Sequence, residues 1–316
     1  MGNLEVITMG RVGVDLYPEQ IGTTLAEVRT FAKSLGGSAT NVAVGAARLG
    51  RRAAVITRVG KDGFGDYVRN ALAGFGVDTR WVSTDPTLRT PIVFCEIHPP
   101  DRFPLLFYRE PKAPDMNLSK DELDLSAIAE APLFWTTGTG LSDEPSRTAT
   151  LAALDARKRR EVTVHDLDHR PTFWRSGDDA RRWAREALRR ATVVVGNTEE
   201  VEMATGLRDA REAAAALLAM GPRLAIVKRG GDGAYARTAA DEVSVPAVDI
   251  PVLNGLGAGD AFGGALCHGL LAGWRLARTL ALANAAGAIV ASRLACADAM
   301  PTLDEIETVL ARRVSA

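Results

Sequence analysis

Excess basic charge, paired cysteines, long apolar runs and low-complexity tracts are all missing from this 316-residue chain, and each absence removes a class of protein. Its 38 Lys and Arg are matched by 39 Asp and Glu, for a formal charge of -1 and a pI near 6.5. Such a balance provides no broad positive field for a nucleic-acid backbone. The arginine-rich runs 157–160 and 181–190, the second broken by Ala, Leu, Trp and Glu at helical spacing, read as solvated helix faces. Cys95, Cys267 and Cys296 are odd in number and far apart, with none of the short paired spacings of zinc or dithiol sites. No segment approaches the ~20 apolar residues of a membrane span, and the amino terminus lacks a basic start followed by a long apolar stretch. The cytoplasm is therefore the expected location, and neither nucleic acid nor membrane is an expected partner.

What is present is apolar content, 47% against 24% charged, enough for a large buried core. Short β-branched runs at 4–9, 53–59, 133–137, 162–165, 192–195 and 224–227 predict strands. Between them, 39–49, 67–75, 146–159, 179–190 and 210–220 carry Ala and Leu at three-to-four spacing and predict helices. This alternation implies an α/β fold with a mostly parallel sheet covered on both faces. Two strand-like runs at 90–97 and 105–108 break it and predict a hairpin. A hairpin cannot bury both faces alone, so it is expected to fold over a substrate, another chain or both. With segments near 7–16 and 80–110 it is expected to form a lid on a single unit spanning 1–316. An apolar strand is expected at 249–253, followed by helices at 261–271, 276–293 and 303–312.

The most informative segment is Asn254, Gly255, Leu256, Gly257, Ala258, Gly259, Asp260, just before an apolar helix. Small residues let backbone approach a ligand, and the N–H groups of a helix start point at whatever sits there. Those groups and the helix dipole favour a phosphate, beside which an Asp can orient or deprotonate a hydroxyl. Alone, a glycine-rich turn with a capping Asp explains the segment equally well. Gly36, Gly37 and Asn41 open an early helix, where they either admit a polyol or simply pack. Asn197, Thr198, Glu199 and Glu200 emerge at the carboxyl end of a strand, where α/β proteins bind ligands, yet also read as an ordinary capping box. Lys228, Gly230, Gly231 and Gly233 form either a β-turn or a loop against a nucleotide. Neither Gly-x-Gly-x-x-Gly after the first strand nor Gly-x-x-x-x-Gly-Lys-Ser/Thr occurs, which argues against a dinucleotide oxidoreductase and a P-loop NTPase. A non-enzymatic sugar-binding module would have no need of Asp260 beside an anion site.

Together these segments resemble the ribokinase-like, or PfkB, family of carbohydrate kinases over the whole chain. The early glycine pair within 36–50 and the late Gly257, Ala258, Gly259, Asp260 run stand in the right order about 220 residues apart, with Asn197 and Glu200 matching the family's Asn-x-x-Glu between them. The resemblance implies a three-layer sandwich with a mostly parallel sheet and a small β-sheet lid, and an enzyme that uses ATP with Mg²⁺. It implies Asp260 as catalytic base and the amides of Gly257, Ala258 and Gly259 as anion hole. Asp15, Gly36, Gly37 and Asn41 would meet substrate hydroxyls, while Asn197, Lys228, Gly230, Gly233 and Asn284 would meet ATP. Asn197 and Glu200 would organise Mg²⁺ largely through water, which suits an ion that dehydrates reluctantly. Where many members have Asp-Thr upstream of Gly-Ala-Gly-Asp, this chain has Asn254 and Gly255, so the family's monovalent-cation loop is not carried over, and Asp249 is not assigned to it. A homodimer through an exposed apolar lid is a further expectation.

Within the family, the run Asp166, Leu167, Asp168, His169, Arg170, Pro171 with Trp174, and Phe107, Tyr108, Arg109 at the lid, resemble the sugar-acid kinases. Segments 10–20, 31–41 and 252–262 are more similar still to those of bacterial myo-inositol catabolism. This implies a small sugar acid phosphorylated at its terminal hydroxyl, with Arg109, Asp168 and Arg170 at the substrate. Arginine suits a carboxylate because it offers two parallel hydrogen bonds. Ion pairs with Glu110, Asp166 or Asp168 would account for the same arginines, and a 2-keto-3-deoxygluconate kinase or fructokinase is the alternative.

Overall fold

The computed structural model describes residues 3–160 and 162–314, so the two ends of the expected 1–316 unit lie outside the described residues. In chain order the strands are β1 Val6–Met9, β2 Gly13–Pro18, β3 Phe31–Gly36, β4 Ala53–Gly60, β5 Val82–Asp85, β6 Ile92–Cys95, β7 Leu105–Tyr108, β8 Leu133–Thr137, β9 Thr163–Asp166, β10 Val193–Asn197, β11 Leu224–Lys228, β12 Ala234–Arg237 and β13 Glu242–Val245. The α-helices are α1 Ser38–Arg48, α2 Gly63–Gly74, α3 Leu125–Glu130, α4 Ser146–Ala156, α5 Gly177–Leu188, α6 Thr198–Thr205, α7 Ala210–Ala219, α8 Ala258–Leu271, α9 Leu276–Ala291 and α10 Leu303–Val314.

Nine strands form one sheet in the order β13-β12-β11-β10-β9-β8-β1-β4-β5. The pairings from β11 through β5 are parallel, and β12 and β13 close one edge antiparallel. Its strands are apolar on both faces because helices cover both. Val6, Leu133, Trp135, Val193 and Val195 face a core shared with α1, α8, α9 and α10. Their neighbours Ile7 and Phe134 point the other way, toward α3, α4 and α5, and Val194 toward α5, α6 and α7. The period of two in the strands thus sorts residues between the outer layers of a three-layer sandwich. On the first face α1 and α8 approach very closely: a Cβ at Gly264 would lie 2.7 Å from the backbone of Gly45.

The second sheet, in the order β3-β2-β6-β7, is mixed, with β2 parallel to β6 and the outer pairs antiparallel. The expected hairpin is β6 and β7. The expected lid boundaries need correcting, because β1 and β5 belong to the large sheet and β3 belongs to the small one. β1 is buried throughout, as a central parallel strand must be, whereas β3 exposes Ala32 and Lys33 and carries too weak a pattern to be read as a strand. The strand expected at 249–253 does not form. Pro251 removes a donor there, and the backbone N–H groups of Leu253 and Asn254 instead donate to the Ala291 carbonyl at the end of α9.

Candidate active site

The parallel register aligns Thr137 with Asp166, and Asn197 with Lys228. Asp166, Asn197 and Lys228 therefore emerge along the carboxyl edge of the large sheet, the crevice where such sheets place ligands. Opposite them α8 begins at Gly257, whose φ of 80° favours glycine, and no side chain caps the helix. Its first N–H groups and the positive end of its dipole thus face the crevice. The Lys228 ammonium lies beside them, 3.3 Å from where a Cβ on Gly259 would stand.

Asp260, in the first turn of α8, is held by the first turn of α1. Its Oδ1 accepts from Ser38 Oγ and its Oδ2 from Asn41 Nδ2, each at 2.8 Å. Gly37 caps α1 with a φ of 104°, and a Cβ on Gly36 would overlap the carboxylate of Asp15. The early glycine pair thus lets β2 and β3 bring Asp15 against the same hollow. The buried Asn41 Oδ1 has no hydrogen-bond partner, leaving an acceptor beside Asp260.

Acids and bases are interleaved here, and Asp15, Asp166, Asp168 and Glu200 are buried. Burial pushes Asp260 above the usual carboxylate range, against the pull of its hydrogen bond from Asn41. Burial also pushes Asp166 to about 7, opposed by Lys228, whose Nζ is 3.7 Å away. Asp168 is held low despite burial by Arg170 and Arg11, at 3.1 and 3.5 Å, and by a hydrogen bond from Thr139. Burial alone would lower Lys228, but Asp166 and Glu200 more than offset it and keep the ammonium charged.

Asn197 and Glu200 form a reciprocal capping box on α6: Glu200 N–H donates to Asn197 Oδ1 at 2.9 Å, and Asn197 N–H to Glu200 Oε2 at 2.7 Å. Their plainer role is therefore present. Glu200 also approaches Arg170 at 3.6 Å and Lys228 at 4.0 Å. Among the described residues no group of three or more His, Cys, Asp or Glu side chains is arranged to hold a metal. The donor set suits a hard cation held mostly through water and phosphate oxygens rather than a protein cage.

A cavity of about 420 Å³ opens from this point, with Asn197, Lys228 and Gly259 at its polar end. Gly230, Gly233 and Asn284 line it, with Val248, Ile250, Phe262 and Ala288 as apolar wall. The Asn284 amide donates to the carbonyls of Val245 and Pro246. Pro100 and Phe103 reach the same cavity from the β6–β7 connection, and the Phe103 ring occupies the space that a side chain on Gly255 would need. Another cavity, of about 410 Å³, lies at the opposite end of the strands around Leu4, Trp81 and Pro132 and contains none of these groups.

One expectation changes. Arg109 does not join the cluster: it is ion-paired at 2.5 Å with Asp115, whose other oxygen accepts from Val12 N–H, and it lies over the Phe173 ring. The acid is thus none of Glu110, Asp166 and Asp168, which the sequence offered for it. Arg170 is paired with Asp168, as the plainer reading had it, yet its Nε is buried without a hydrogen-bond partner, whereas Arg11 Nε faces Asp168 Oδ2 at 3.5 Å. Arg11 and Ser38 were not singled out from sequence. A charged residue two places past the first strand was the available signal for Arg11.

An uncapped helix start, a buried carboxylate fixed beside it and a cavity of nucleotide size, set on a ribokinase-like sandwich, define a small-molecule kinase. The chain matches the pfkB family of carbohydrate kinases over residues 3–303 and belongs to that family. It is 34% identical to 5-dehydro-2-deoxygluconokinase of Geobacillus kaustophilus over 96% of this chain and 92% of the relative. To the Photobacterium profundum protein of that name it is 36% identical, covering 96% and 95%. Among solved structures, an E. coli protein described as a ribokinase II, in complex with ATP and Mg²⁺, superposes with a TM-score of 0.88 at 26% identity, covering 98% of this chain and 99% of that one.

Asp15 supplies a pH test. Burial pushes its carboxyl up to about 6, opposed by Arg11. If Asp15 accepts sugar hydroxyls, its ionised form does so more strongly than its acid form, and KM for the sugar is expected to rise as pH falls below about 6, by at most ~10-fold per unit. Asp15→Asn should show a raised KM that is flat over the same range. Initial rates across pH decide it, and a flat wild-type KM would remove Asp15 from the substrate site.

Proposed function

We propose that the enzyme transfers the γ-phosphoryl group of ATP, taken as its Mg²⁺ complex, to the terminal hydroxyl of 5-dehydro-2-deoxy-D-gluconate, forming the 6-phosphate and ADP. The observation that carries the reading is Asp260, clamped by Ser38 and Asn41 at the uncapped start of α8. The relatives named for this reaction support the choice of sugar acid. The 420 Å³ cavity, and the E. coli structure with ATP and Mg²⁺, support the choice of donor.

In this reading the sugar's terminal hydroxyl lies between Asp260 and the start of α8. Asp260 accepts its proton as the hydroxyl oxygen forms a bond to the γ-phosphorus, and the bond to the β–γ bridging oxygen breaks with ADP as leaving group. Burial raises the carboxyl's pKa, which makes its ionised form a better base. The amides of Gly257, Ala258 and Gly259, with Lys228, meet the charge on the transferring group, in an orientation set before the reaction begins. Asn197 and Glu200 would hold Mg²⁺ largely through water, where it would neutralise charge between the phosphates. Gly230, Gly233 and Asn284 border the nucleotide. Asp15, Gly36, Gly37, Asn41 and Asp168 border the sugar, and Arg170, with its unpartnered Nε, takes the carboxylate. The small sheet acts as lid over both substrates, since its β6–β7 connection delivers Phe103 to the nucleotide cavity. Its edge strand β7 exposes Leu106 and Tyr108, at 47% and 60%, which supports a second copy of the chain as cover. Among the described residues no helix is long and apolar enough to cross a membrane; the need for ATP supports the cytoplasm as the place of action.

Asp260→Asn keeps the shape and removes the proton acceptor. It is expected to bind ATP normally in calorimetry while kcat falls by about 10² to 10⁴; normal turnover would exclude Asp260 as base. The substrate is tested by comparing 5-dehydro-2-deoxygluconate, 2-keto-3-deoxygluconate and fructose. Arg170 is a third exposed, so Arg170→Met should cost the acids roughly tenfold to a hundredfold in kcat/KM, about the lower end for an interfacial charge pair, and fructose little. Arg109→Met, which breaks the Asp115 pair, should harm all three alike. Equal wild-type kcat/KM on fructose and the acids would favour a fructokinase. For the dimer, sedimentation equilibrium should give twice the chain mass, reduced to one in Tyr108→Glu; a wild-type monomer would end that reading.

A further inference from the structure

The segment that leads into α8 is tied to the segment that follows α9, and the tie runs through one side chain. Asn254 is fully buried. Its Nδ2 donates to the Leu294 carbonyl at 2.5 Å, and its Oδ1 accepts from Leu256 N–H at 3.0 Å. Three residues further on, Gly257 leaves no room for a Cβ because the Cys296 thiol fills that space. The two segments therefore touch at both ends of 254–257, and the turn that aims the first amides of α8 is set by contacts with 291–296.

We propose that Asn254 is a positioning residue for phosphoryl transfer: its neutral amide clasps the turn before α8 to the Leu294 carbonyl by itself, without a bound monovalent cation. The chemistry of the atoms carries this. The amide presents a donor to a carbonyl and an acceptor to a backbone N–H, so both polar ends are satisfied inside the protein. A carboxylate at the same place could accept from Leu256 but would set a charged oxygen against the Leu294 oxygen with no proton between them. Such a pair of oxygens requires a cation, or a proton taken up by the carboxyl, to bridge it. Amide and carboxylate-plus-ion are thus alternative ways of closing one gap, and this chain carries the first.

The inference rests on the kinase reading only for its turnover readout; the melting temperature reports the clasp independently. The wild-type enzyme is assayed and melted in KCl, NaCl and choline chloride at equal ionic strength. Its kcat and both KM values are expected to change by less than about twofold and its Tm to stay constant. Asn254→Asp in choline chloride is expected to melt lower and to lose at least tenfold in kcat, with KCl or NaCl restoring both along one saturable curve. A purely space-filling role for residue 254 would not produce that ion dependence. A wild-type kcat that rises tenfold with K⁺ or Na⁺, or a Tm that climbs with either, overturns the proposal. So does a folded Asn254→Asp enzyme that matches wild type in choline, or that neither ion restores. Should that variant not fold, the wild-type salt series still decides.

Discussion

The bond pair from Ser38 and Asn41 to the Asp260 carboxylate is the constraint on which the site depends, and it exists because two helices can approach almost to backbone contact. Gly45 against Gly264 removes the side chains that would hold α1 and α8 apart, and the starts of both helices then face one hollow. A buried carboxylate without donors would be costly and free to rotate. Here each oxygen has a donor from α1, so one edge of the hollow is a carboxylate of fixed orientation. The other edge is the uncapped start of α8. Its N–H groups are left for a ligand because Gly257, with no side chain to offer, stands where a Ser or Asp would ordinarily cap.

The surrounding charges make a second layer of the same design. Asp166, Asp168, Glu200 and Asp260 would repel one another in a poorly hydrated pocket, yet Arg11, Arg170 and Lys228 are threaded among them. Asp168 accordingly stays low while Asp166 is pushed to about 7. Such networks are weak evidence for stability, since desolvation offsets much of the attraction. In the proposed reading their use is to hold polar groups still around an anionic substrate, which is the condition for electrostatic catalysis. The capping box of Asn197 and Glu200 belongs to the same economy of parts: one pair ends a strand, starts α6 and presents Glu200 to Lys228.

Much of this was legible in the chain before folding. Alternating apolar strands and amphipathic helices specify a covered parallel sheet, because each pattern has only one way to bury its apolar side. The glycine-rich run ending in Asp260 specifies a helix start that backbone can share with an anion. What was misread had local causes. Pro251 interrupts a run in which Ile250, Val252 and Leu253 suit a strand, and the small sheet's β3 mixes Lys and Ser with Phe and Leu, so neither period dominates.

By itself the sequence determined the layered α/β architecture, most of the parallel strands and covering helices of the large sheet, and a glycine-rich helix start ending in an acid, since propensity and periodicity act between residues a few places apart. Tertiary structure alone decided which distant partners meet. Asp115 rather than Glu110 takes Arg109, Arg11 crosses to Asp168, and Asn254 reaches Leu294. The physical reason is that an arginine or an amide can satisfy itself with any acceptor, so its composition names no partner. The choice is made by strand register and helix approach, which bring residues many positions apart in the chain to within hydrogen-bond distance.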